Sequence, residues 1–289
     1  LYGSGLGGVL RLNSRYPLQD GWSVKITGEL GSFNSHRYGI SSSEKNKKVA
    51  ITGGLAHVFS DGYRENSEFS RTNAFLNARI FQDRNTMSFT FSLVDFYSRI
   101  PSSINETDFI NQPELAAGNW LAVKGFEEYI KVLAGFKLES AISKSLTNHL
   151  ILFSSFTDPY ESRPFNILDD HSLSVGMREY LQYKLKSMSL SVGMEYYHEW
   201  YNWQIFETLI GSQGQLLSEH NELRRYANVF AMVQWRPSQK VLIDVGLNLN
   251  ALQYTSPPKL QSPCKSLLQL PPRIGRRDRR NTTQARYPQ

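Results

Sequence analysis

Residues 241–251 decide the fold, and they read Val-Leu-Ile-Asp-Val-Gly-Leu-Asn-Leu-Asn-Ala. Apart from Leu242, apolar residues occupy the odd positions, and polar or small residues occupy the even ones. Side chains alternate between the two faces of a β-strand, so the stretch predicts a strand with one apolar face and one polar face. An apolar face against lipid and a polar face against a water-filled lumen account for this pattern directly.

The same alternation recurs along the chain, most clearly at residues 73–80, 87–93, 172–178 and 188–195. A soluble antiparallel sheet also alternates, so the length of the strands is the more informative feature. Several strands run for about a dozen residues, whereas strands of soluble sheets usually have about five or six. Membrane strands need about nine to eleven residues, and this requirement favours a transmembrane sheet.

The pattern predicts about eleven strands. Their expected ranges are 22–32, 36–45, 47–59, 70–82, 85–98, 127–142, 147–158, 171–186, 188–201, 224–236 and 239–254. The connections alternate in size: the short ones are 44–47, 82–85, 143–146, 186–187 and 236–239, and the long ones are 60–69, 99–126, 159–170 and 202–223. Residues 33–35 are the one short exception on the long side. Short turns at one end and long loops at the other are typical of outer-membrane barrels.

Eleven strands would form half of a 22-stranded transporter barrel. We therefore expect an all-β, antiparallel transmembrane β-barrel that is partial and has a curved, open sheet. Half a barrel leaves two open edges, which lipid does not tolerate. We accordingly do not expect this polypeptide alone to form a working pore.

The formal charge of +6 comes from the last segment of the chain. Residues 256–289 carry eight basic residues and one acidic residue, so the remainder has 24 basic and 25 acidic residues. A nucleic-acid partner for the main body gains no support from this balance. The single cysteine, Cys264, also lies in the last segment, and this excludes disulfides and cysteine-based metal sites from the body.

The chain opens on a glycine-dense turn followed by a short apolar strand, in the order Leu-Tyr-Gly-Ser-Gly-Leu-Gly-Gly-Val-Leu over residues 1–10. No Lys follows as a phosphate-binding loop requires, and the glycine spacing misses the dinucleotide fingerprint. The segment resembles the end of the plug domain of TonB-dependent outer-membrane receptors. The residues that carry this resemblance are Tyr2, Gly3, Gly5, Gly7, Gly8 and Val9.

The resemblance implies a TonB-dependent receptor for high-affinity uptake of a scarce ligand, most often a ferric siderophore, ferric citrate, haem or cobalamin. Its partners would be outer-membrane lipid, TonB and a ferric chelate or similar small ligand. Its location would be the outer membrane of a Gram-negative bacterium. A signal peptide and the TonB-contacting segment would precede residue 1. Ferric-siderophore and ferric-citrate receptors are the expected type, with no enzymatic activity and no cofactor.

Receptors of this family often hold anionic iron chelates with arginine and aromatic side chains. The corresponding candidates near the predicted strand tops and long loops are Arg99, Arg163, Tyr197, Trp203, Arg224 and Arg225. The aromatic residues at 96–97 and 196–203 fit the outer aromatic belt of a barrel better than they fit ligand contacts. The six histidines show no metal-ligand spacing, and no nucleophile elbow occurs. The sequence therefore predicts neither a metal site nor a catalytic site.

Three segments follow from these observations: residues 1–16 as the end of a plug, 17–255 as the N-terminal half of a barrel, and 256–289 as an irregular basic tail. Six of the twelve prolines fall in the tail. We interpret it as the product of a shifted reading frame or truncated gene; a disordered tail with its own role is the alternative. For the whole chain, a passive porin or adhesin barrel and a soluble β-sandwich carbohydrate-binding module remain open.

Overall fold

The computed structural model describes residues 16–17, 19–210 and 212–256. The glycine-rich opening, with Tyr2, Gly3, Gly5, Gly7 and Gly8, lies outside the described residues, and so do residues 257–289 of the basic tail. The plug segment and the interpretation of the tail therefore stay predictions.

The described chain contains eleven β-strands, as the alternation predicts. They are β1 (Gly21–Gly31), β2 (Ser35–Lys45), β3 (Val49–Ser60), β4 (Phe69–Phe81), β5 (Asn85–Arg99), β6 (Phe126–Ala141), β7 (Leu146–Ser162), β8 (Ile167–Lys184), β9 (Met188–Leu209), β10 (Ser212–Ser238) and β11 (Val241–Thr255). All belong to one sheet in which each strand is hydrogen-bonded to the next in chain order. Every pair is antiparallel, so the predicted open antiparallel sheet is confirmed.

The two ends of the sheet differ in their connections. At the end that we call the turn end, neighbouring strands are joined by residues 46–48, 82–84, 142–145, 185–187 and 239–240. At the opposite end, the loop end, the connections are 32–34, 61–68, 100–125, 163–166 and 210–211. The first strand therefore runs from the turn end to the loop end, as the alternating connection sizes predict.

The structure corrects the predicted extent of several strands at the loop end. Residues 159–170 and 202–223, expected to be loops, are mostly strand: β7 continues to Ser162, β8 begins at Ile167, and β9 and β10 form a long hairpin. Pairing with a neighbouring strand satisfies the backbone there, although the sequence lacks clean alternation. The expected loop 99–126 instead holds two short helices, α1 (Glu106–Asn111) and α2 (Gly118–Val123).

Neither helix in the described part of the chain is long enough and apolar enough to cross a membrane.

The long connection 100–125 is tied to residues 61–68 by polar contacts. Arg64 donates hydrogen bonds to the carbonyl oxygens of Leu115 and Ser102 at 2.7–2.9 Å. The side-chain amide of Asn66 donates to the carbonyl oxygens of Ile100 and Gly125 at 2.8 and 2.9 Å. The hydrogen bonds from the Arg64 guanidinium are charge-assisted and therefore stronger than neutral ones, and together these contacts hold the two connections to each other at the loop end.

Within the described residues the sheet is a single layer, and none of them covers its apolar face. Val192 and Met194 are 47% and 48% exposed, whereas the polar-face residues Ser174 and Asn228 are 1% exposed. A soluble protein buries its apolar face and exposes its polar one, which is the reverse of this arrangement. The exposure of the apolar face agrees with a wall that lipid covers.

The hydrocarbon band can be placed along the strands from their length. An apolar band about 25 Å tall takes about ten residues of a strand that rises about 3.4 Å per residue and tilts by about 45°. Counted from Met188 at the turn end of β9, the band ends near the aromatic residues Tyr196 and Trp200. Strand residues nearer the loop end lie beyond it.

Candidate ligand-binding face

The polar face of β8, β9 and β10 near the loop end carries a group of linked charged contacts. Its central residue is Arg224 on β10, directly opposite Glu199 on β9. The guanidinium lies 3.3 Å from a Glu199 oxygen and 2.7 Å from a Glu222 oxygen. Ser172 on β8 donates a hydrogen bond of 2.6 Å to the other Glu199 oxygen. Arg224 and Glu199 together thus link three strands.

Aromatic rings flank this arginine on the same face. The Arg224 guanidinium carbon lies 4.1 Å from the centroid of the Tyr201 ring, within cation–π range. Tyr201 donates a hydrogen bond of 3.0 Å to Asp170 on β8. Next along β9, Trp203 lies opposite His220, with their ring centroids 5.5 Å apart. Rings with attached polar groups form a surface suited to a flat or polyaromatic ligand.

Burial changes the proton affinities at this level of the sheet, beyond the hydrocarbon band. It raises the pKa of the Tyr201 phenol to about 12, and the negative charge of Asp170 and the hydrogen bond to it act in the same direction. Burial also raises the pKa of the Asp170 carboxyl above its ordinary value. The pKa of Glu127 on β6 is raised by burial and then by the negative charge of Glu161.

Acidic residues predominate on this part of the face. Strand alternation from Glu199 places five carboxylates on it, which we call the acidic wall: Glu127, Glu161, Asp170, Glu199 and Glu222. The basic residues at this level are Arg224, Arg163 and Lys131, and Arg163 pairs with Glu161. The acidic wall therefore carries a net negative charge when its carboxyls are ionised.

The predicted ligand contacts lie at different places on the sheet. Tyr197, Trp203 and Arg224 share the polar face, and Arg163 lies in the connection next to it. Arg225 is exposed on the opposite, apolar face, opposite His198. Arg99 ends β5 on that same apolar face and contacts Glu68 and Asn66 of the 61–68 connection. No observation tests their part in binding, so all six stay predictions.

Sequence reasoning missed the carboxylates and Tyr201 as members of this site. They come from five strands, β6 to β10, and only strand pairing brings them together. The register of β8, β9 and β10 sets Ser172 opposite Tyr201 and Tyr201 opposite Glu222. The recurring acid–aromatic sequence at 195–201 is a signal that could have indicated part of the site.

A second group of chemical interest lies on the apolar face beyond the hydrocarbon band. Asp158, Asp169 and His171 place potential metal-ligating atoms within 4.8 Å of one another. Asp158 is on β7, and the other two are on β8. The sequence predicted no metal site, because no spacing within one strand indicates this arrangement.

Comparison with solved structures shows what this architecture resembles. The pyoverdine outer-membrane receptor FpvA from Pseudomonas aeruginosa PAO1 matches with a TM-score of 0.70 and 9% identity, over 83% of this chain and 42% of FpvA. The ferric-catecholate import receptor Fiu from E. coli K12 matches with a TM-score of 0.63 and 13% identity, over 84% of this chain and 46% of Fiu. The copper transporter OprC matches with a TM-score of 0.63 and 11% identity, over 82% of this chain and 38% of OprC.

The chain thus spans less than half the length of each of these proteins. No protein-family model matches the chain, and the comparison with curated proteins found no match. Identities this low establish the fold alone. The described strands have the fold of part of the β-barrel of TonB-dependent outer-membrane receptors.

Proposed function

We propose that this chain is part of an outer-membrane receptor that takes up a scarce ligand with high affinity in a Gram-negative bacterium. The observation that carries the proposal is the eleven-strand, single-layer sheet with an exposed apolar face and a charged, aromatic polar face. Structural likeness to FpvA, Fiu and OprC supports a transporter rather than an enzyme.

The proposed ligand class is a ferric chelate, with a ferric siderophore favoured over ferric citrate. Tyr201 and Trp203 offer ring surface for a polyaromatic or extended chelate. The acidic wall repels a strongly anionic complex at short range, and this repulsion is stronger where water is partly excluded. A siderophore that retains a cationic group fits the charge of this wall better than the citrate complex does.

The proposed transport cycle is a two-state gate. Ligand binding at the loop end would bias a plug inside the barrel, and TonB would supply the energy by pulling on that plug. A ligand shifts such an equilibrium only by its difference in affinity for the two states. The residues on the polar face would therefore contribute to gating if their contacts with the ligand change when the plug moves.

Binding and uptake of three radiolabelled iron complexes by cells that express the complete receptor of which this chain is proposed to be a part would test the proposal. The probes are ferric citrate, a ferric tricatecholate, and a ferric linear trihydroxamate that keeps a free ammonium group. We expect saturable binding of at least one complex, strongest for the cationic trihydroxamate, and uptake that stops when the proton-motive force is collapsed. Unsaturable flux that persists without that force would instead indicate a passive pore and contradict the proposal.

A further inference from the structure

A compact group of metal-binding side chains lies away from the candidate ligand-binding face, on the apolar side of the sheet. His171 is directly opposite Asn202 on β9 and close to Asp158 on β7. Asp169 lies two residues before His171, so it is on the same face of β8. These residues follow the apolar band toward the loop end: on β8 the next residue on this face is Leu173, opposite Trp200.

The imidazole of His171 is held between two carboxylates. Its Nδ1 atom lies 2.5 Å from an oxygen of Asp158, and its Nε2 atom lies 3.5 Å from an oxygen of Asp169. Asp158 as a residue is only 7% exposed, and the side chains of His171 and Asp169 are 20% and 18% exposed. Buried carboxylates need a compensating positive charge, which either a protonated imidazole or a bound cation could supply.

The neighbouring Asn202 distinguishes between these two sources of charge. It is 5% exposed, and its side-chain oxygen has no hydrogen-bond partner. Its amide nitrogen donates a 2.6 Å hydrogen bond to Asn221 on β10, so the oxygen is turned away from β10, on the side where β8 lies. A protonated imidazole would use both N–H groups on the two aspartates and leave this oxygen without a donor. A bound cation, by contrast, could be coordinated by the side-chain oxygen of Asn202.

We propose that Asp158, Asp169 and His171 form a binding site for a divalent transition-metal cation, with the side-chain oxygen of Asn202 as a further donor. Imidazole and carboxylate donors suit Zn²⁺ and its first-row neighbours, whereas Ca²⁺ and Mg²⁺ prefer oxygen ligands alone. One imidazole nitrogen and the carboxylate beside it would bind the cation, and the other nitrogen would donate to the second carboxylate, which is the arrangement that orients a metal-bound histidine. The cation would join β7, β8 and β9 just beyond the lipid.

Zinc titration of the full-length chain, purified in detergent and freed of metal with a chelator, tests this site. A chromogenic competitor would report the affinity, and Co²⁺ would report the ligand field by visible absorption. We expect one site per chain, at least tenfold weaker Zn²⁺ binding in His171→Gln and Asp158→Asn, and little change in His198→Gln. His198 is a suitable control because it lies on the same face of β9 as Asn202 but outside the proposed site, between Tyr196 and Trp200.

Unchanged Zn²⁺ affinity in a folded His171→Gln variant would overturn the proposal. A second measurement on the unaltered chain covers the case in which the variants do not fold. Carbethoxylation of histidines, mapped by mass spectrometry with and without Zn²⁺, should show protection of His171 and none of His198. Equal modification of His171 in both conditions would also overturn the proposal, whatever the behaviour of the variants.

Discussion

The guanidinium of Arg224 stacks on the ring of Tyr201 at 4.1 Å while it contacts two carboxylates, those of Glu199 and Glu222. One positive charge therefore serves two negative ones, and the planar guanidinium fits this role because its donors point in fixed directions. Removing the charge would leave both carboxylates without their arginine partner on the candidate ligand-binding face.

Arg224→Gln should change ligand preference according to charge. We expect the affinity for the cationic ferric trihydroxamate to rise about three- to tenfold, and that for ferric citrate to fall by a similar factor, which corresponds to about 1 kcal/mol of charge interaction. Both effects should shrink as ionic strength rises. Equilibrium binding of the two radiolabelled complexes at low and high salt would measure these changes.

Arg225→Gln makes the same change in charge one residue further along the strand, on the opposite face. If side-chain placement decides the effect, this variant should alter both affinities less than twofold. An effect as large as that of Arg224→Gln would instead support the sequence-based assignment of Arg225 as a ligand contact. It would also contradict the assignment of the binding face to the Arg224 side of the sheet.

Glu127 should make the stability of the sheet depend on pH. Burial and the charge of Glu161 raise the pKa of Glu127 in the folded state above the ordinary value of 4.5. A carboxyl whose pKa is raised on folding binds its proton more tightly in the folded state than in the unfolded state. It therefore stabilises the folded chain at pH values below its unfolded pKa. That contribution is lost as pH rises from about 4.5 through the raised folded pKa.

Glu127→Gln should remove this loss, so the variant gains stability relative to the unaltered chain as pH rises to 7. Urea unfolding in detergent, followed by tryptophan fluorescence between pH 4 and 7, would measure the difference. Glu127→Asp keeps a titrating carboxyl and should keep a pH dependence of the same sign. If the unaltered chain and Glu127→Gln show parallel pH profiles, the proposed origin of the dependence is wrong.

Gly193 lies opposite Tyr180, where β8 and β9 approach each other closely. A Cβ built on it would be 2.4 Å from the carbonyl oxygen of Glu179 and 2.8 Å from the Cα atom of Tyr180, so backbone would have to move. Gly193→Ala should therefore cost about 1–3 kcal/mol of folding free energy, as overpacking does. Denaturant titration of the chain in detergent would measure this cost.

Gly135 provides the matched control within another strand. Its Cβ would meet nothing closer than 3.9 Å, at Thr90. Gly135→Ala should be neutral or stabilise the chain by about 0.4–1 kcal/mol, because alanine restricts the unfolded state. Equal destabilisation by the two alanines would show that the loss of glycine itself, rather than the close contact between β8 and β9, sets the cost.

Sequence alone predicted the number, order and polarity of the strands, because a sheet with one apolar and one polar face imposes a period of two on each strand. Residues 241–251 obey that rule throughout apart from Leu242, and β11 (Val241–Thr255) includes all of them. The turn end was predicted well for the same reason. The short connection 185–187 interrupts two alternating stretches and leaves few other ways to pair them.

The loop end was predicted poorly because the environment on both faces is polar beyond the lipid. Residues 212–223 of β10 mix Ser, Gln, Glu and His without alternation, yet they pair with β9. The face of the sheet on which an isolated arginine such as Arg99 lies depends on the register of its strand, which the sequence around it does not show. The grouping of Asp158 with His171 depends on the register of two strands, which no local pattern contains.

Charge placed on the apolar face should separate the lipid-covered part of the sheet from the part beyond it. Val192 is the fifth residue of β9, near the middle of the expected band, and is 47% exposed. A lysine at such a depth costs about 2–4 kcal/mol in a barrel, falling to about 0–1 kcal/mol near the interface. Val192→Lys should therefore reduce folding of the chain into lipid vesicles, measured by protection from an added protease.

Ile210 is the matched position at the loop end, since it is apolar and 82% exposed but follows the end of β9 at Leu209. Ile210→Lys adds the same charge outside the hydrocarbon, so it should fold into vesicles as well as the unaltered chain. Because water surrounds both sites in a soluble sheet, equal tolerance of the two lysines would mean that the apolar face of β9 does not meet lipid. Loss of folding in Val192→Lys alone places the membrane on that face and at that height.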